Sequence, residues 1–91
     1  MILNVKKVFM VDYDKIKHTD KQSIVYVIQT LRKKLQEYKK DDYLLLTGDP
    51  AIIGVACSIV SDITNGKYNL LKWDKQERKY YPVEINLYSK G

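Results

Sequence analysis

Ninety-one residues with 45% apolar and 30% charged content are expected to form one globular domain spanning 1–91, which excludes a disordered chain. The single cysteine excludes an internal disulfide, and no apolar run is long enough to span a bilayer. The formal charge of +5 favours acidic partners, but fourteen of the sixteen basic residues are lysines, so the arginines that usually read base edges are scarce.

In chain order, Val8 to Val11 is a short run of strand formers that ends at Asp12-Tyr13-Asp14. Thr19-Asp20-Lys21-Gln22 matches a capping box and predicts a helix start. The helix that follows places Ile24, Ile28, Leu31, Leu35 and Tyr38 on one stripe, with Val27 beside it. Arg32, Lys33, Lys34, Lys39 and Lys40 crowd its last turns, where cations suit the helix dipole, and Asp41-Asp42 ends it.

Tyr43 to Thr47 is an apolar run suited to a strand covered on both faces. Gly48-Asp49-Pro50 then opens a second helix, with Asp49 as N-cap and Pro50 in the first turn, and Asn65-Gly66 closes it. This helix is apolar nearly all round, so one side is expected to pack on the sheet and another to meet a partner subunit. Gly54, Ser58 and Ser61 are small residues at helical spacing, where another backbone could approach or where the helix fits the sheet. Cys57 is expected to be a small core residue.

Lys67 to Asp74 and Lys79 to Tyr88 predict an antiparallel hairpin, and Pro82 confines the second of these strands to a sheet edge. Trp73 near its tip is expected either to cover the core or to be an exposed contact residue, with the first preferred. The fold class is therefore α/β, a small β-α-β-α-β-β domain of two or three layers. Strands 1–3 are parallel and the C-terminal edge strand is antiparallel. Strand order 2-1-3-4, with helices on opposite faces, is preferred. Order 1-2-3-4 would leave one face bare and so predict a dimer.

Ligands of open α/β sheets bind beyond the carboxyl ends of the strands. The residues expected there include Asp12, Asp14, Thr47, Gly48, Asp49 and Asp74, and such carboxylates could hold Mg²⁺. The run VFMVDYD, residues 8–14, resembles the opening motif of haloacid-dehalogenase phosphatases, and Leu46-Thr47-Gly48 is similar to their second motif. VDYD and LLLTGDP also resemble the metal-binding strand ends of NYN/PIN-type nucleases, with Ala51 where a further Asp is usual. These resemblances imply Mg²⁺-dependent phosphoester hydrolysis by Asp12, Asp14 and Asp49. The whole chain, above all TGDPAIIGVACSIVSDITNGKYNLLKWD and YYPVEI, resembles small phage-encoded α/β proteins, which implies no particular activity.

The amides at Gly48 and Ala51 open a helix and could receive an anion. On the hairpin, Trp73, Tyr80 and Tyr88 accompany Lys72, Arg78 and Lys79, a mixture suited to a protein interface or to stacking on single-stranded nucleic acid. The overall expectation is a cytoplasmic binding protein without cofactor or membrane contact. It would form a homodimer through the second helix or the edge strand and have a further protein partner. Mg²⁺-dependent hydrolysis and non-specific nucleic-acid binding are the alternatives.

Overall fold

The computed structural model describes residues 7–10 and 23–89. The elements run β1 (Val8–Met10), α1 (Ser23–Leu35), β2 (Tyr43–Leu45), α2 (Pro50–Thr64), β3 (Lys67–Asp74) and β4 (Lys79–Asn86). The four strands form one sheet in the order β1-β2-β3-β4, with the first three parallel and β4 antiparallel to β3. The preferred order 2-1-3-4 is thus overturned.

The order has a direct consequence. Two right-handed crossovers stepping in the same direction place both helices on one face of the sheet. The packing agrees. Val27, Leu31 and Leu35 of α1 and Ile52, Ala56, Ile59 and Val60 of α2 share a core with Leu44 and Tyr68, against which Phe9, Leu70 and Ile85 pack. Phe9, Leu44, Leu70 and Val83 are register partners across all four strands, so this is one face. The fold has two layers, and no described helix covers the opposite face.

Local chemistry sets the limits of α2. The Asp49 carboxylate accepts from Ala51 N–H at 2.8 Å and Ile52 N–H at 3.4 Å, and Pro50 follows it. At the other end Asn65 (φ 56°) and Gly66 (φ 80°) both turn left-handed. A β-carbon on Gly66 would lie 2.8 Å from the Tyr88 ring, so glycine there serves both the turn and the close approach of β4's end.

Two expectations for α1 change. Val27 is fully buried at the centre of the stripe rather than beside it, while Ile28 is half-buried at its margin. The helix also stops at Leu35 instead of running to Lys40. Its end is set by a distant partner, because the Tyr38 hydroxyl donates to the Asp42 carbonyl at 2.6 Å and accepts from Asn69 N–H on β3 at 3.1 Å. The capping box at 19–22 lies outside the described residues.

The loop after α1 is fastened by a buried acid. Asp42 Oδ1 accepts from Lys7 N–H at 3.0 Å and Oδ2 from Lys39 N–H at 2.9 Å. The Asn69 side-chain amide donates to the Lys40 and Asp42 carbonyls, which ties the same loop to β3. Among the described residues no buried side-chain nitrogen or oxygen lacks a hydrogen-bond partner.

Candidate functional site

The face of the sheet that the described helices leave uncovered is built from alternate residues of all four strands. Met10, Leu45, Leu71 and Pro82 form one transverse row, and Val8, Tyr43, Asn69 and Glu84 form the next. Trp73 and Tyr80 pair beyond the first row, with ring centroids 5.0 Å apart and planes at 65°. Val8 is 54% exposed, Met10 49%, Trp73 45% and Tyr80 50%, so large apolar groups stand in water along this face. Trp73 is therefore exposed on the open face and not a cover for the core, the role preferred from sequence.

The far end of the same face is polar. Lys40 and Asp41 from the loop after α1 meet Tyr43, Lys67, Glu84 and Asn86 around an open cleft of about 350 Å³. The cleft carries two cations and two carboxylates.

The predicted binding residues divide between two places. Trp73, Tyr80, Lys72, Arg78 and Lys79 gather at the tip of the β3–β4 hairpin. Asp74 shapes that tip, its Oδ1 accepting from Gln76 N–H at 2.9 Å and Glu77 N–H at 3.2 Å, while Arg78 takes φ 55°. Tyr88 lies at the other end, beside Gly66, with eight strand residues or about 25 Å between. Sequence reasoning missed Val8, Met10, Leu45 and Leu71 as surface residues, because an apolar run looks alike whether one or both faces are covered.

The carboxylates predicted at the strand ends do not form a described cluster. Asp12 and Asp14 lie outside the described residues, and Asp49 is engaged with the first-turn amides of α2. The Ala51 amide predicted to receive an anion already donates to Asp49, and Gly48 adopts φ 96° in the turn before it. Among the described residues no group of three His, Cys, Asp or Glu could hold a metal. Replacing Asp49 by alanine should destabilise the protein by about 1 kcal/mol through the lost cap, while Asp49→Asn should be nearly neutral. Thermal melts check this. A Mn²⁺ titration of the Asn variant tests the metal role separately, since the metal reading requires Asp49→Asn to weaken binding.

The helical layer carries two further depressions. Gly54 and Ser58 border a groove of about 480 Å³ between the helices, with Ile28, Arg32 and Val55. Beyond its own helix turns, no described atom comes within 4 Å of a β-carbon placed on Gly54, so among the described residues no other backbone makes the close approach that the small residues would allow. Cys57, Ser61, Asp62, Tyr68 and Tyr88 border a second cleft of about 460 Å³. Cys57 is half-buried against the core, and burial pushes its thiol up from the ordinary range. Burial likewise pushes up the Tyr38 and Tyr68 phenols, with Cys57 adding to the effect at both.

These shifts have a definite sign. A group whose folded-state pKa is raised contributes stability that is present below its unfolded pKa and lost as pH rises through the folded value. The urea midpoint should therefore fall as pH rises from the ordinary thiol range into and above the phenol range. Alkylation of Cys57 by iodoacetamide should stay slow at neutral pH and accelerate at a higher pH than for a free thiol.

The fold and its open face define a class: a small two-layer α/β protein with one face of its mixed sheet uncovered by its described helices. Among the described residues no helix is long and apolar enough to cross a membrane. The chain belongs to the phage Pam3 gp32-like protein family, whose model matches residues 6–87, so it is phage-related, as the whole-chain resemblance implies. The match lends no support to the nuclease or phosphatase resemblances. No curated protein and no solved structure matches the chain.

Proposed function

We propose that the protein is a non-enzymatic interaction protein of the cytoplasm, acting through protein–protein contacts made by the open face of its sheet. The observation that supports this most is the exposure of Val8, Met10, Trp73 and Tyr80 on a face that none of the described helices covers. Apolar surface of this kind is stabilised when another apolar surface removes it from water, and aromatic residues are enriched at such contacts. The T-shaped Trp73–Tyr80 pair offers two large aromatic surfaces, each with only two rotatable side-chain bonds, so ordering them on binding costs little conformational entropy.

Lys72, Arg78 and Lys79 share the hairpin tip with this pair, with Lys72 and Lys79 on the opposite face of the sheet, and this mixture is the ground for a second reading as a stacking platform for single-stranded nucleic acid. Asp74 and Glu77 share that hairpin tip and reduce its positive field.

A photo-crosslinking aromatic placed at position 80, in phage-infected cells, tests the two readings. The protein reading expects adducts of protein mass from position 80 and none from position 26 on α1. Adducts to nucleic acid from position 80, formed only at low salt, would replace it with the second reading.

A further inference from the structure

We infer that the open sheet face binds a second copy of this chain, the two sheets stacking face to face about a two-fold axis. The inference rests on the interaction reading above and names its partner.

The chain carries a formal +5, so two copies repel unless the contact lies on a locally neutral surface. The open face supplies one. Its polar end sets Lys40 and Lys67 against Asp41 and Glu84, and the transverse row of Met10, Leu45, Leu71 and Pro82 is uncharged. In an isologous contact each surface meets itself, so a patch with equal numbers of both signs can place each lysine near a carboxylate of the other copy. A nucleic acid would gain little from such a balanced patch.

The outer edge of β4 is a poor site for a second copy. Leu87 N–H donates to the Gly66 carbonyl at 3.0 Å. Antiparallel alternation from that pair turns the backbone of Tyr81, Val83 and Ile85 toward β3 and that of Tyr80, Pro82 and Glu84 outward. Pro82 therefore removes a donor from the middle of the outer edge without loss to the β3–β4 ladder, which disfavours strand addition there. The face remains as the larger surface of the sheet that the described helices leave uncovered.

With strands about 4.8 Å apart and residues about 3.4 Å apart, the two short and two long strands offer roughly 360 Å² per copy, or about 720 Å² in total. That is the size of a weak, transient contact, so a reversible dimer with a dissociation constant on the order of 100 µM is expected. Stacked sheets of this type lie about 10 Å apart, which would bring Trp73 and Tyr80 out of water.

Trp73 is the only tryptophan, so its fluorescence reports on this face directly. The experiment combines emission spectra and sedimentation equilibrium of the full chain from about 1 to 500 µM, spanning the expected affinity. The expected result is a blue shift that follows the increase in mass and changes little with salt. Tyr80→Lys and Val8→Lys, both at exposed positions, should each weaken dimerisation by roughly tenfold or more, because each places an uncompensated cation in the contact. Circular dichroism confirms that each variant is folded, and Tyr26→Lys on α1 should leave the association unchanged.

A monomer at every concentration with an accessible Trp73 would overturn the inference. So would a dimer broken by Tyr26→Lys but not by either open-face variant. A monomer whose Trp73 is shielded from iodide would assign the face to another part of the same chain. If the chain stays monomeric while position 80 crosslinks to a different protein, this inference fails and the interaction reading stands.

Discussion

Replacing Asp42 by alanine should lower the folding free energy by about 2–4 kcal/mol, since two backbone amides lose their acceptor and burial leaves water little room to replace it. Asp42 is 6% exposed, and its carboxylate holds Lys7 N–H and Lys39 N–H, one on each oxygen. The partly buried surroundings of the amides argue for the lower half of that range. Asp42→Asn keeps one acceptor and opposes an N–H with an amide group, so it should recover less than half the loss. Tyr38→Phe should cost about 1–2 kcal/mol, because the Asn69 amide then lacks its acceptor. A double-mutant cycle should show the two changes to be coupled, since both groups fasten the same loop to the sheet. Urea midpoints at neutral pH supply the measurement. A loss below about 0.5 kcal/mol for Asp42→Ala, the level of an ordinary surface substitution, would show that the loop is not held by this acid.

The same polar knot explains where sequence reasoning stopped short on α1. Apolar periodicity carries the pattern through Tyr38, and nothing local marks Leu35 as the end. The stop comes from a hydroxyl that bonds a residue thirty-one positions away. By contrast, α2 was legible to within a residue, because Asp49, Pro50, Asn65 and Gly66 each act on their own backbone. The β3–β4 hairpin was legible from alternation, but the pairing of Trp73 with Tyr80 was not, since Trp73 was expected to cover the core. Strand order was not. Orders 2-1-3-4 and 1-2-3-4 satisfy the same apolar pattern and differ only in which side of β1 receives β2. That choice decides whether Val8, Met10, Leu45 and Leu71 are core or surface, so the candidate site was hidden with it.

Leu31→Ala should destabilise the protein by about 3–4 kcal/mol, within the usual range for a fully buried leucine. Leu31 has no exposed surface and lies between Val27 and Leu35, one turn away on either side, where α1 meets α2 and the sheet. A two-layer fold has one core, and a chain of this length has roughly 5–13 kcal/mol in total, so the variant should lose a large share of it. The open face should respond differently. Met10→Ala deletes a half-exposed side chain and should cost under about 1 kcal/mol in dilute protein, where the monomer prevails. At concentrations that favour dimer its cost should grow, because association adds to apparent stability by mass action. Leu31→Ala should lose nearly the same amount at both concentrations. Chemical denaturation at two protein concentrations separates the cases: a concentration-dependent penalty for Met10→Ala alone places the contact on the open face, and equal behaviour of the two variants removes it from there.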